Sequence, residues 1–240
     1  MRKLKLSGSD TFPDFSVATG ITLFIIIFSI LFSFLTTRLQ SLFSDKLLIT
    51  VWAIFSSSVL IGGLLWFIIT HYRKYILNLL FQPFNYFIKG FYHYLLFLPI
   101  LSLVIKFSFF IFTKIGFSPE PQQIVLIYFK TDSFYLLFIM SFLSCIIVPF
   151  SEEIIFRGIV YPGLKKRFSV PSSMILSSLI FALLHNEIFV LAGLFVFGIF
   201  LSYLFEKHKN LWLSISVHFF NNLFTTIVVL IGKYFYNIKP

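Results

Sequence analysis

The chain has 240 residues, of which 58% are hydrophobic and only 12% charged, with a mean hydropathy of +0.95. A water-soluble domain of this length could not bury that much apolar surface, so most of the chain must be solvated by lipid. The formal charge of +10 does not indicate nucleic acid. The 19 Lys and Arg are scattered through short loops rather than gathered in a stripe, which fits anionic lipid and membrane orientation.

A membrane-spanning helix needs about 20 mostly apolar residues. In chain order, candidate spans run over Val17–Leu35, Leu47–Thr70, Phe91–Phe112, Phe134–Phe150, Pro171–His185, Ile188–Phe205 and Leu211–Ile231. Between the second and third lies Ile76–Ile88, with Pro83 at its centre, expected as a short interfacial or re-entrant piece. The fold class is therefore all-α, a polytopic bundle of about seven spans plus one short interfacial helix. Arg2, Lys3 and Lys5 precede the first span. That apolar stretch is too long for a signal-peptide core and reads as a retained anchor. With the N-terminus inside, eleven Lys and Arg fall on the inner side and six on the outer, which favours that orientation. Lys106, inside the third span, is placed to snorkel. The single Cys145 sits in an apolar run, excludes an internal disulfide and reads as packing.

Ionisable groups inside membrane segments are costly, and they mark functional sites by default. The fourth span ends in "SEEIIFRG", residues 151 to 158. On a helix Glu153 and Arg157 stand at i and i+4 and can pair. Glu152 is turned about 100° away. One carboxylate is then neutralised, while the other is left in low-dielectric surroundings that make it a better proton acceptor. The bland alternative is a helix end emerging into water with a solvated ion pair. Pro162 and Gly163 are expected to interrupt this helix, and Lys165–Phe168 to turn the chain back. His185 closes the next span in "FALLH". In an antiparallel hairpin it reaches the depth of Glu152 to within about a turn. In "HFFNN", His218 and Asn222 share a face at i and i+4, and both can donate to a developing oxyanion. Taken singly, each also fits as interhelical hydrogen-bonding glue. Ser151 reads as helix surface, and Asn186 and Glu187 as turn polarity. No G-x-S-x-G, H-E-x-x-H or phosphate-binding loop occurs in the sequence.

Glu-Glu-x-x-x-Arg, then Phe-x-x-x-His, then His-x-x-x-Asn, in that order on three apolar helices, resembles the CPBP family. These are the CAAX-protease and bacteriocin-processing intramembrane endopeptidases, also called Abi or type II CAAX prenyl endopeptidase-like proteins. The matching residues are Glu152, Glu153 and Arg157; Phe181 and His185; and His218 and Asn222. The resemblance divides the chain into N-terminal membrane helices over residues 1–133 and a catalytic core over 134–231. It implies hydrolysis of a peptide bond in a membrane-associated or leader-bearing peptide, in a bacterial inner membrane. Glu152 with His185 would activate water, and His218 with Asn222 would stabilise the oxyanion. Glu153 and Arg157 would hold the helix and orient Glu152, and Phe181 would pack beside His185. The site is expected to open to the cytosol, on the side of the basic Lys165–Phe168 loop. Family members are often labelled metalloproteases, and Glu152, His185 and His218 could then hold Zn2+. A glutamate–histidine water mechanism needs no metal and is the preferred reading. The alternatives are a non-catalytic immunity or scaffold member of the same family, and a proton-coupled transporter. The transporter predicts an inverted repeat, and none is visible in the sequence.

Overall fold

The computed structural model describes residues 13–42, 61–81, 83–118 and 122–235. Among the described residues there are nine helices. They are α1 (Phe15–Leu42), α2 (Ile61–His71), α3 (Arg73–Leu79), α4 (Pro83–Lys114), α5 (Gln123–Lys130), α6 (Phe134–Leu164), α7 (Val170–Leu184), α8 (Leu191–His208) and α9 (Leu211–Phe235). One 3-10 turn, Ile188–Val190, leads into α8.

Five of these helices are long and apolar enough to cross a membrane: α1, α4, α6, α9 and the segment Ile188–His208 that contains α8. Two more expected spans are shorter. α7 has 15 residues, roughly 22 Å of rise against a hydrocarbon core of about 30 Å. Most of Leu47–Thr70 lies outside the described residues, and its described end forms α2. The interfacial piece expected at Ile76–Ile88 is not one element. Its first part belongs to α3, and Pro83 opens the 32-residue α4 instead of sitting mid-segment. A proline at the first position of a helix costs nothing, because that N–H would have no partner anyway.

The helices pack around one hydrophobic cluster. It joins Ile21, Tyr75, Ile76 and Phe97 from the N-terminal half to Ile154, Ile159, Phe181, Phe197, Leu201 and Leu211. Large apolar side chains cover the outside, such as Phe34, Leu96, Phe107 and Phe138. That distribution suits lipid rather than water as the surrounding solvent.

Helix α6 does not stop at Pro162. It carries two widened π stretches, Leu143–Ile147 and Ile154–Val160, each followed within two residues by a proline, Pro149 and Pro162. A proline ring inside an α-helix clashes with the carbonyl four residues back, and adding one residue to the turn moves that carbonyl aside. The winding absorbs Pro162 and the helix runs on to Leu164.

The end of the bundle that carries the α6–α7 turn is tightly tied. Glu206 accepts hydrogen bonds from Tyr161 Oη at 2.7 Å and Lys165 Nζ at 2.6 Å, and it pairs with Lys209 at 2.5 Å. Asn210 and Trp212 donate to the carbonyls of Phe81 and Leu80, and Ser216 donates to that of Phe87. The last of these needs close approach. A Cβ on Gly90 would fall 2.3 Å from Ser216 Oγ, so only glycine lets α4 and α9 meet there.

Candidate active site

Glu152, His185 and His218 line a single cavity of about 580 Å³ between α4, α5, α6, α7, α8 and α9. Its other walls are mostly apolar, among them Leu101, Ile105, Met140, Val148, Leu194 and Val229.

The two adjacent carboxylates sit in different surroundings. Glu153 is fully buried, and its Oε1 accepts from Arg157 Nη1 at 3.0 Å and meets His218 Nδ1 at 3.0 Å. Arg157 is 1% exposed, and its second terminal nitrogen donates to the carbonyl of Gly198 on α8 at 3.1 Å. The guanidinium also lies over the rings of Phe181 at 4.9 Å and Phe156 at 5.8 Å. Three helices thus converge on one buried charge pair. Glu152 faces the cavity instead, with its Oε2 3.8 Å from His218 Nε2. That oxygen is itself buried and has no protein hydrogen-bond partner among the described residues.

His218 is held between the carboxylates by its own ring chemistry. Nδ1 is engaged by Glu153, which leaves Nε2 for Glu152 and the cavity. Phe197 and Phe181 pack edge-on against the ring at 5.4 and 5.9 Å and fix its plane. His185 terminates α7. Asn186 follows with a left-handed φ of 52°, a conformation asparagine tolerates, and this breaks the helix there. His185 Nδ1 bonds the Phe181 carbonyl at 2.8 Å, so Nε2 is its free ring nitrogen. Phe181 packs against it with ring centroids 4.7 Å apart.

Asn222 is positioned by a defect in α6. Within the first π stretch the Val148 N–H bonds Leu143, five residues back. By the same pattern the Ser144 carbonyl would await the N–H of residue 149, and Pro149 has none. Asn222 Nδ2 donates to that carbonyl across the helix interface at 2.9 Å. Asn221 Nδ2 donates to Asn222 Oδ1 at 3.2 Å, which orients the amide and leaves its second N–H available. Gly198, Ser144, Phe197 and Asn221 were not among the residues singled out from the sequence. Gly198 is one of several small residues of α8, with Ala192, Gly193 and Ser202. A Cβ on Gly198 would come within 2.9 Å of Ser178.

The cavity runs away from the basic turn. Glu152 and His218 lie at its deep end, while Gln122, Glu187, Thr225 and Val229 line it towards the opposite end of the bundle. The lining beyond Glu152 and His218 lies on the side away from Lys165–Phe168. In a hairpin, Glu152 at twelve residues before the end of α6 is roughly 18 Å from that turn, and the tied end fills the space between.

No three His, Cys, Asp or Glu side chains cluster into a metal-holding group among the described residues. The expected Glu152, His185 and His218 set is not assembled as a ligand sphere, and no step below runs through a metal.

Residues 134–224, which carry this constellation, match the family model described as type II CAAX prenyl endopeptidase Rce1-like. Over that segment the chain is similar to the type II CAAX prenyl endopeptidases, the family that the three motifs resemble. A protein of Bacillus subtilis (strain 168) named "Putative membrane peptidase YdiL" is 30% identical over 92 residues. The match covers 38% of each of the two chains. No solved structure matches. The matched segment coincides with α6 to the middle of α9, which contribute every residue of the buried charge pair and its neighbours.

Proposed function

We propose that the chain is an intramembrane endopeptidase that hydrolyses a peptide bond of a membrane-associated or leader-bearing peptide. The observation that carries this reading is the division of labour between Glu153, fully buried with Oε1 held by Arg157 and His218, and Glu152, which faces the cavity with Oε2 3.8 Å from His218 Nε2. The similarity of residues 134–224 to the type II CAAX prenyl endopeptidase model supports a membrane protease.

With Nδ1–H donated to Glu153, Nε2 of His218 is the ring nitrogen that meets Glu152 and the cavity. In the reaction a water in the cavity is held between Glu152 and His185. It gives its proton to the Glu152 carboxylate as its oxygen forms a bond to the scissile carbonyl carbon. His218 Nε2–H and the free N–H of Asn222 donate to the resulting oxyanion. The C–N bond then breaks, and the leaving amine takes the proton from Glu152. The products are a carboxylic acid and an amine, which settle as carboxylate and ammonium once the acid's proton passes to the amine, and Glu152 returns to its starting state. Glu153 and Arg157 act as positioning residues, and Phe181 keeps His185 in place.

With the basic end in the cytoplasm, substrate enters from the opposite face of the membrane, where Gln122 and Glu187 line the cavity. A membrane-impermeant thiol reagent applied to intact cells should label Glu187→Cys in a Cys145→Ala background. Labelling only after the membrane is opened would reverse this orientation.

The direct test compares the membrane proteomes of cells carrying wild-type and Glu152→Gln protein. A fragment that disappears with Glu152→Gln and with His185→Ala, while both variants insert and fold, supports the reading. Unchanged cleavage by both sinks it. A chelator challenge of the purified protein that leaves cleavage intact is expected for the water mechanism. Loss of cleavage on chelation, restored by Zn2+, would replace it.

A further inference from the structure

A second polar cluster lies at the tied end, away from the cavity. Tyr86, Lys89 and His93 fall on one face of the first turns of α4, at i, i+3 and i+7. Lys207 and His208 close α8. The His93 and His208 rings meet edge to face with centroids 6.1 Å apart, and Tyr86 lies 6.2 Å from His208. Lys89 Nζ sits 5.2 Å above the Tyr86 ring.

The charged groups acting on His208 are His93, Lys207 and Lys89, all basic. Glu206, two residues away, is turned to Tyr161, Lys165 and Lys209. His208 Nε2 is buried without a hydrogen-bond partner, an unusual state for a ring nitrogen. His93 Nδ1 is held by the Lys89 carbonyl at 2.7 Å, which leaves its Nε2 free to face outward. Two ammonium groups beside two imidazoles, one of them with a buried ring nitrogen that finds no protein partner, leave a basic groove suited to an anion.

The surroundings indicate which anion. The cluster lies at the ends of two membrane helices, at headgroup level on the basic side. Ile88, Tyr92 and Tyr203 are exposed beside it, one of them carrying Lys207 Nζ at 5.8 Å from its ring. Such a rim suits acyl chains below a phosphate and is wasted on a free ion. We propose that the groove between the start of α4 and the end of α8 binds the phosphate of an anionic phospholipid through Lys89, His93 and His208. The proposal is independent of the peptidase reading, since none of these residues lines the cavity.

The full-length protein in a neutral detergent is titrated with phosphatidylglycerol, phosphatidylcholine or inorganic phosphate. Unfolding is followed by the fluorescence of its three tryptophans. Phosphatidylglycerol should raise Tm at concentrations where phosphatidylcholine does not. Lys89→Met and His208→Gln should each weaken that response by about fivefold in lipid concentration. Lys166→Met, at the same end but outside the groove, should leave it unchanged. Equal shifts with the two lipids, or titrations of Lys89→Met that match Lys166→Met, overturn the site. A full shift from inorganic phosphate alone overturns the lipid as its source. Should His208→Gln fail to fold, the exposed Lys89→Met decides.

Discussion

The two ends of this bundle are built by opposite rules. Around Glu206 and Asn210 at the tied end, polar groups are satisfied by one another. Glu206 has three donors, and backbone carbonyls left over near α3 and at the start of α4 are taken by Asn210, Trp212 and Ser216. At the open end, a cavity reaches down to a carboxylate oxygen that no protein donor satisfies. Glu153 and Glu152 are the seam between the regimes. One peptide unit apart, the first belongs to a closed network and the second to the cavity. On the proposed function, stability is concentrated on one side of the seam and chemistry on the other, so substitutions on the two sides should separate these properties.

The largest effect expected is on the closed side. Arg157→Met leaves Glu153 buried without its countercharge, which should cost about 3–5 kcal/mol of stability. The check is thermal unfolding in detergent together with the fraction of protein inserted. A variant as stable as wild type would mean the pair contributes nothing to the fold. On the open side, Glu152→Gln keeps size and shape and removes only the proton acceptor. Cleavage should fall by about 10²–10⁴-fold with Tm within a degree or two of wild type. A matching loss of stability would erase the contrast between the two glutamates.

Asn222→Ala sits on the seam. It should lower kcat by about 10²-fold with little change in KM, as expected for a donor used mainly in the transition state. Pro149→Ala sharpens the point. It restores an N–H that competes with Asn222 for the Ser144 carbonyl, so kcat should drop by a smaller factor, of the order of tenfold or less, while stability holds or rises. If kcat stays at the wild-type value, the widened turn has no part in placing Asn222. The smallest effect is at the tied end. Glu206→Gln loses partly exposed ion pairs and should cost no more than about 1 kcal/mol, with cleavage intact.

Much of this was legible in the chain because it depends on spacing within single helices. Apolar run length revealed the membrane bundle. The i, i+4 rule paired Glu153 with Arg157, the resemblance set Phe181 beside His185, and both contacts are present. The order of the three polar motifs indicated the family that the comparison over residues 134–224 supports. Proline was the weak point. Read as a breaker, Pro162 was expected to end a helix and Pro83 to split one. In fact Pro162 is absorbed by a widened turn and Pro83 begins α4. Local rules state what proline forbids, and they leave open which of the permitted geometries the neighbours select.

The sequence alone determined that lipid is the solvent, that a few ionisable side chains are held within it, and which of them share a helix face. These follow from composition and from a fixed 3.6-residue period. Only the tertiary structure decided that His218 bridges two carboxylates from 65 positions away, that Gly198 offers its carbonyl to Arg157, and that the cavity runs away from the basic turn. Those outcomes depend on how separate helices rotate and slide against each other. That choice is made by the summed fit of many side chains, and no spacing along one segment encodes it.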